Sequence, residues 1–181
     1  MQQTSTQYDS IVHMCKDIFL KKNKDYGTSW RMLRPSSITD QLFIKASRIR
    51  GIETKGSQMI DEGIEPEFIG IVNYGIMAII QCRLDESVSI ELPVNRSENL
   101  YDTTIAEVKD LMMKKNHDYG EAWRDMRISS FTDMILVRLL RIKQIEDNAG
   151  TTVVSEGVES NYMDLINYAI FALIQLDEAK A

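Results

Sequence analysis

The chain contains the same ten-residue motif twice. Residues 22–31 read Lys-Asn-Lys-Asp-Tyr-Gly-Thr-Ser-Trp-Arg, and residues 115–124, which lie 93 positions later, read Lys-Asn-His-Asp-Tyr-Gly-Glu-Ala-Trp-Arg. The similarity extends from residues 8–53 onto 101–146 without a gap, and from 62–81 onto 156–175 after one inserted residue. Solenoid repeats are only about 20 to 50 residues long. The repeat therefore predicts a duplicated small domain.

The duplication sets the expected domain organisation. We expect a first repeat over residues 1–84, a linker over 85–100 and a second repeat over 101–181. A single repeat of this size would have a thin hydrophobic core. The two repeats should therefore pack together as an internal pseudo-dimer, related by a pseudo-twofold axis. Whether two chains form a further homodimer is left open.

The sequence pattern predicts an all-α fold. Only nine glycines and three prolines are present, and the long apolar stretches follow the 3.6-residue helical period. Three helices are expected in each repeat, over residues 10–23, 37–51 and 65–84, and over 103–116, 130–145 and 159–178. Ser10, either Asp102 or Thr103, Ser37 and Ser130 are candidate N-caps. Gly27 and Gly120 can end the first helices in the left-handed conformation.

Composition limits the partners and the compartment. A net charge of -6 argues against a double-stranded nucleic acid as partner, because such proteins carry a basic surface. Cys15 and Cys82 lack a Cys-x-x-Cys arrangement and are expected to be buried free thiols. No signal peptide or membrane-spanning run of about 18 apolar residues is apparent. We expect a cytoplasmic protein without a membrane partner.

The second helix of each repeat has one apolar face and one charged face. In the second repeat the charged face carries Asp133, Arg138 and Arg141. Asp40, Lys45 and Arg48 occupy the same positions in the first repeat. These residues either bind phosphate groups or form ordinary surface ion pairs, which contribute only ~0 to 1 kcal/mol each.

The third helix is apolar nearly all round, apart from a polar stripe. In the second repeat the stripe contains Asp164, Asn167, Tyr168 and Gln175. Buried polar groups cost about 1 to 3 kcal/mol unless they are paired. The stripe therefore either fixes the pairing of the repeats or belongs to a site, and an ionised Asp164 needs a cation.

Acidic residues cluster before and within this helix. Glu156, Glu159 and Asp164 form a candidate Mg²⁺ site, because Mg²⁺ prefers carboxylate, water and phosphate oxygens. Stabilisation of the helix N-terminus is the alternative for Glu156 and Glu159. The first repeat has Glu62 and Glu65 but carries Gly70 in place of Asp164. One acidic site is therefore expected, in the second repeat.

This single site could be completed from the first repeat. Residues 25–27, or Lys45 and Arg48 reaching across the pseudo-twofold axis, are the candidates for that contribution.

The aromatic residues of the repeated motif have two interpretations. Tyr119 and Trp123 lie next to basic residues and offer flat faces on which a base can stack. Alternatively, the tryptophan closes one end of the bundle and the aspartate holds the loop.

Several motifs together carry a family resemblance: Lys-Asn-x-Asp-Tyr-Gly-x-x-Trp-Arg, Ser-x-x-Asp with Arg-Ile, Glu-Gly-x-Glu, and Asp-Leu-Ile-Asn-Tyr-Ala-Ile. The chain resembles the nucleotide modification-associated domain 1 family, which occurs in phage and bacterial proteins, often in two copies. More distantly it resembles the all-α nucleoside triphosphate pyrophosphohydrolases of the MazG type. That second resemblance implies Mg²⁺ bound by acidic motifs on paired helices.

The leading functional hypothesis is Mg²⁺-dependent hydrolysis of a standard or modified nucleoside triphosphate to monophosphate and pyrophosphate. Glu156, Glu159 and Asp164 would hold the metal and Asp133 would assist. A nucleotide-binding module without catalysis and a helical interaction protein are the alternatives. The candidate substrate-binding residues are Lys115, Asp118, Tyr119, Trp123, Arg124, Arg138, Arg141, Asn167 and Tyr168, together with Asp25, Tyr26, Trp30, Lys45 and Arg48.

Overall fold

The computed structural model describes residues 2–55, 63–154 and 156–180. Within these ranges the chain is helical and no strand is present. The first repeat contains α1 (Gln2–Tyr26), α2 (Pro35–Lys55) and α3 (Glu65–Arg83). The second contains α4 (Val94–Tyr119), α5 (Ile128–Asp147) and α6 (Val158–Glu178). A short 3₁₀ turn, Ser29–Met32 or Ala122–Asp125, follows the first helix of each repeat. The predicted all-α fold of two tandem three-helix repeats is confirmed.

The first helix of each repeat is longer than predicted. Ser10, Asp102 and Thr103 lie inside α1 and α4 and are not N-caps. α4 begins within the segment that was expected to be a linker. Ser37 and Ser130 likewise lie inside α2 and α5, and α2 starts at Pro35, whose fixed φ suits the first helical position. The prediction failed at these starts because tertiary packing extends helices beyond their local capping signals.

The glycine of the repeated motif ends the first helix as expected. Gly27 has φ +61° and Gly120 has φ +64°, in the left-handed region that glycine adopts without steric cost. The Gly27 N–H donates to the Asn23 carbonyl at 2.9 Å. The chain then reverses direction so that the 3₁₀ turn and the second helix pack back on the bundle.

Helices α3 and α6 form the centre of the molecule. They pack against each other, and each also packs against the second helix of its own repeat. One continuous core cluster contains buried side chains from both repeats. At the closest approach, a Cβ on Gly75 would lie 2.6 Å from Ile166 Cγ1, so the glycine permits this helix contact. The repeats therefore share a core.

Equivalent hydrogen bonds join the repeats in both directions. The Tyr8 hydroxyl donates to Asn167 Oδ1 at 2.8 Å, and the Tyr101 hydroxyl donates to Asn73 Oδ1 at 2.9 Å. The amide nitrogens of these asparagines donate to backbone carbonyls of their own repeat. The asparagines of the polar stripe thus fix the pairing of the two copies, the structural alternative considered above.

A second reciprocal pair connects α2 and α5. The Thr39 hydroxyl donates to Glu146 Oε1 at 2.8 Å, and the Thr132 hydroxyl donates to Glu53 Oε1 at 2.9 Å. Each threonine is buried and each glutamate belongs to the opposite repeat. These bonds repeat the same arrangement about the pseudo-twofold axis.

Two further expectations concern the thiols and the membrane. Cys15 is buried as expected, but Cys82, near the end of α3, is exposed. None of the helices in the described part of the chain is both long and apolar enough to span a membrane.

Candidate functional site

Asp164 lies at the centre of a small ion-pair network in the second repeat. Its side chain is 9% exposed, on the face of α6 that meets α5 and α4. Arg138 Nη2 lies 3.0 Å from Asp164 Oδ2, and Lys115 Nζ forms an ion pair with Oδ1. The cation that a buried carboxylate requires is therefore supplied by these two side chains.

A cavity of about 570 Å³ opens beside this network. It lies between the C-terminal half of α5 and the segment that precedes α6. Arg138 and Arg141 line one side, and Glu156 lines the other. The Nε of Arg138 is buried and has no hydrogen-bond partner among the described residues. The remaining polar lining residues are Gln144, Asn148, Thr151, Thr152 and Asn161.

The three predicted metal ligands point to different places. Glu159 Oε1 accepts a hydrogen bond from Arg83 Nε at 3.1 Å, and Arg83 also binds Glu107. Asp164 is bound to Arg138 and Lys115, which leaves Glu156 as the one of the three that lines the cavity. Across the described ranges no three His, Cys, Asp or Glu residues are grouped closely enough to hold a metal ion. As arranged here, these side chains do not fit a Mg²⁺ ion held by protein ligands alone.

The first repeat has its own buried carboxylate, one helical turn earlier. Glu67 forms ion pairs with Arg48 and with Lys45, whose Nζ lies 3.3 Å from Glu67 Oε2. A Cβ on Gly70 would lie 2.9 Å from Lys45 Cδ, so the lysine occupies the space that Asp164 fills in the second repeat.

Lys45 and Arg48 thus bind within their own repeat, and the expectation that they complete the other site across the axis is wrong. Sequence comparison missed Glu67 because its counterpart is Asn161, whose side chain donates to the Gly157 carbonyl at 3.0 Å. A search for acidic residues one helical turn before Gly70 would have found Glu67. Glu62, the counterpart of Glu156, lies outside the described residues, as do residues 56–61.

Both tryptophans of the repeated motif are buried. Trp123 is 6% exposed and stacks on Phe171 with ring centroids 4.3 Å apart and planes at 4°, and Trp30 is 8% exposed. Neither indole has a free face for a base, so both close the bundle. Tyr26 and Tyr119, in contrast, are 70% and 78% exposed.

Arg124 belongs to a network at the end of the bundle. Its Nε lies 3.1 Å from Glu121 Oε2 and its Nη1 lies 3.1 Å from Glu178 Oε1, and its guanidinium lies over the Trp123 ring. A hydrogen bond from Thr4 is the main cause that lowers the pKa of Glu121 to about 2. The network joins α1 to the second repeat and is separate from the cavity.

The other candidate residues also lie away from the cavity. Asp133 is exposed and faces Arg50 across the α2–α5 contact at 3.9 Å, as Asp40 faces Lys143 at 2.6 Å. Asp118 is exposed beside His117, and Asp25 is exposed at the end of α1.

Lys115, Asn167 and Tyr168 line a small cavity of about 50 Å³ on the other side of Asp164. It is too small for a nucleotide, since ligand cavities usually measure about 300 to 1,000 Å³. The structure therefore brings together Arg138, Arg141 and Glu156 at the larger cavity, with Asp164 and Lys115 behind Arg138 in the ion-pair network.

Comparison with known proteins identifies the family. The model of the nucleotide modification associated domain 1 matches residues 22–82 and again residues 115–176. No curated protein and no solved structure matches the chain. The two matches cover most of both repeats, in the order that the internal duplication predicts. The chain belongs to the nucleotide modification associated domain 1 family, whose domain it contains in two tandem copies.

Proposed function

We propose that the second repeat binds the phosphate groups of a nucleotide in the cavity between α5 and the segment before α6. The observation that carries this proposal is the presence of Arg138 and Arg141 on one wall of a cavity of about 570 Å³. Guanidinium groups bind phosphate oxygens in a bidentate manner, and such charge-assisted hydrogen bonds are about twice as strong as neutral ones.

Asp164 takes the role of a positioning residue in this proposal. Its contact with Arg138 Nη2, at 3.0 Å, holds the guanidinium in place, and Asp164 itself is not among the lining residues of the cavity. Because Lys115 shares the same carboxylate, Arg138 is not fully neutralised by Asp164. An arginine held in this way can bind an incoming phosphate without a large loss of side-chain entropy.

The same cavity offers contacts for more than a phosphate. Val153 and Val154 line it and are 96% and 97% exposed, so they present an apolar surface next to the arginines. Gln144, Asn148 and Thr151 add neutral hydrogen-bonding groups. A nucleotide has the matching parts, which are an anionic end, a polar sugar and a flat apolar base. The description of the family supports this ligand class.

Hydrolysis of the nucleotide stays a prediction. Of the three proposed metal ligands, Glu156 alone lines the cavity. The described carboxylates therefore do not form a Mg²⁺ site that would support hydrolysis. The arrangement favours the binding module over the pyrophosphohydrolase. A measurement of turnover distinguishes these two functions, whereas a measurement of binding does not.

Calorimetric titration with nucleoside mono- and triphosphates, carrying standard and modified bases, tests the binding. Arg141→Gln should weaken binding about tenfold, the effect expected for a lost charge-assisted hydrogen bond. Arg127→Gln is the matched control, because Arg127 is exposed in the same repeat but does not line the cavity. Equal affinities of the two variants would contradict the proposed site. A lack of saturable binding by the wild type would favour an interaction protein instead.

Pyrophosphate release with and without Mg²⁺, measured on the same nucleotides, tests catalysis. If the chain is a pyrophosphohydrolase, Glu156→Gln should abolish turnover without abolishing binding. If no nucleotide is turned over by the wild type, the hydrolase hypothesis is rejected and the binding module is retained.

A further inference from the structure

Arg31, in the motif of the first repeat, is a buried guanidinium without a carboxylate partner among the residues that the structure describes. Its side chain is buried, with a residue exposure of 7%. Nη1 donates to Gln81 Oε1 at 2.6 Å and Nη2 donates to the Val88 carbonyl at 3.0 Å, while Nε has no partner among the described residues. Burial, with a smaller contribution from Arg96, lowers the pKa of Arg31. Its positive charge is therefore not neutralised within the described part of the chain.

The corresponding arginine of the second repeat is fully neutralised. Arg124 is paired with Glu121 and with Glu178, as described above. The first repeat has Thr28 and Leu84 at these two positions, so both carboxylates are missing together. The guanidinium is thus common to both repeats, whereas its two counter-charges occur only in the second.

A cavity of about 620 Å³ lies beside Leu84, the counterpart of Glu178. Arg31 and Arg34 line it, with Gln81 and Leu84 from the end of α3 and Val88 from the linker. The side chain of Arg34 is exposed, and no ion pair is formed by it within the described ranges.

Three other charged residues also line this cavity. Arg83 is bound to Glu107 and Glu159. Asp85 accepts a hydrogen bond from the Ser87 backbone N–H at 2.8 Å. Glu86 is exposed. The two acids disfavour a polyanion such as a triphosphate and leave room for a group of low charge.

We propose that this cavity binds the phosphate group of a small, singly phosphorylated molecule through Arg31 and Arg34. The phosphate would take the place that Glu178 occupies beside Arg124. Bidentate binding to one guanidinium and a further contact to the second is the usual arrangement for a phosphate between arginines. The site uses a different repeat and different residues from the nucleotide cavity, so it does not depend on the function proposed above.

The test restores the missing counter-charge. In a chain that carries Arg138→Gln and Arg141→Gln, which removes the other arginine pair, Leu84→Glu is compared with Leu84→Gln. The glutamate should pair with Arg31 as Glu178 pairs with Arg124, whereas the glutamine has the same size without the charge. Calorimetric titrations with inorganic phosphate and with methyl phosphate, at constant ionic strength, then measure binding.

The expected result is saturable binding by the Leu84→Gln chain, weakened about tenfold or more in the Leu84→Glu chain. Tighter binding of methyl phosphate than of inorganic phosphate would assign the site to a phosphomonoester, and the reverse order to free phosphate. Equal affinities in the two Leu84 variants, or no saturable binding of either probe by the Leu84→Gln chain, would overturn the proposal. Far-ultraviolet circular dichroism melts of both variants show that the comparison is made on folded protein.

Discussion

At the scale of single residues, the repeated motif serves mainly to hold the fold together. The Trp123 ring stacks face to face on Phe171 in the C-terminal half of α6. The Arg124 guanidinium covers the other face of the indole, at 4.4 Å from the ring centroid. Gln175 donates to the backbone carbonyls of Trp123 and Met126, which fixes the 3₁₀ turn against α6. The aromatic residue that sequence reasoning assigned equally to base stacking and to structure is thus a core residue.

We expect Trp123→Ala to lower the free energy of unfolding by about 3 to 5 kcal/mol, the range for a large aromatic side chain removed from a core. Urea denaturation followed by circular dichroism measures this change. Tyr119→Ala is the matched control, because Tyr119 is 78% exposed and its loss should alter stability by no more than about 0.5 kcal/mol. A stable Trp123→Ala protein with weakened nucleotide binding would instead assign the indole to the ligand.

The candidate site shows why residue-by-residue alignment of the copies was informative but incomplete. It identified Asp164 as a buried carboxylate that needs a cation, because buried charge on an apolar helix requires a counter-charge, but assigned that cation to a metal and Arg138 to a phosphate. It interpreted Gly70 as the loss of that site in the first repeat. In the structure, the first repeat carries a carboxylate one helical turn earlier, at Glu67, and Lys45 is its basic partner. A single position cannot reveal such a shift, since neighbouring turns of a helix present side chains to the same face.

At the scale of elements, the contact between α3 and α6 determines how closely the repeats approach. The two helices meet at Gly75 in one and at Leu165 and Ile166 in the other. The counterpart of Gly75 is Ala169, so the contact is not symmetric in side-chain volume. The first repeat supplies the smaller residue at this point.

Gly75→Ala should therefore destabilise the protein although alanine favours helices. The added Cβ would meet Ile166 Cγ1 at 2.6 Å, and overpacking of this kind costs about 1 to 3 kcal/mol. The gain in helix propensity, about 1 kcal/mol, offsets only part of that cost. Urea denaturation gives the difference.

Gly51→Ala provides the control, because Gly51 lies within α2 with open space around its Cβ position. This substitution should raise the free energy of unfolding by up to about 1 kcal/mol. If Gly75→Ala were stabilising to the same extent, the close packing of α3 on α6 would not constrain the fold.

The existence and type of the helices followed from sequence periodicity, whereas their starts did not. The apolar period identified α3 and α6 as central helices, and both are buried on nearly all sides. The early turns of α1 are polar, with Thr4 and Gln7 near its start. Those residues are helical because they bind Arg124 of the other repeat, at 2.8 Å for Thr4 and 2.7 Å for Gln7. A contact so distant in sequence leaves no local signal.

At the scale of the whole molecule, the two repeats are joined by ionisable groups that are partly buried. Glu53 and Glu146 each accept a hydrogen bond from a threonine of the other repeat, and burial raises the pKa of both carboxyls above the ordinary value of 4.5. Desolvation outweighs the threonine hydrogen bonds, which act in the opposite direction. The pairing of the repeats is thus coupled to pH.

The direction of this coupling follows from proton linkage. An acid whose pKa is higher in the folded state binds more protons there, so its contribution to stability is complete below about pH 4.5 and is lost as the pH rises through the raised value. Replacement of both residues by glutamine removes the ionisation and keeps an oxygen that can accept the threonine hydrogen bond. The double variant should therefore gain stability relative to the wild type as the pH rises from about 4.5 through the raised pKa values, and the gain should level off above them. Urea denaturation at intervals across that range measures it.

Glu121 provides a comparison of opposite sign within the same chain. Its pKa is lowered to about 2, mainly by the hydrogen bond from Thr4, so its contribution to stability is present above its ordinary value of 4.5 and is lost as the pH falls toward 2. Glu121→Gln should accordingly be destabilising at neutral pH and nearly neutral in strong acid. The two sets of variants separate the contacts that join the repeats: the α2–α5 carboxyls oppose assembly at neutral pH, whereas the Arg124 network, which binds α1 to the second repeat, favours it. A pH-independent difference between the Glu53/Glu146 double variant and the wild type would mean that these carboxyls are as well solvated in the folded chain as in the unfolded one.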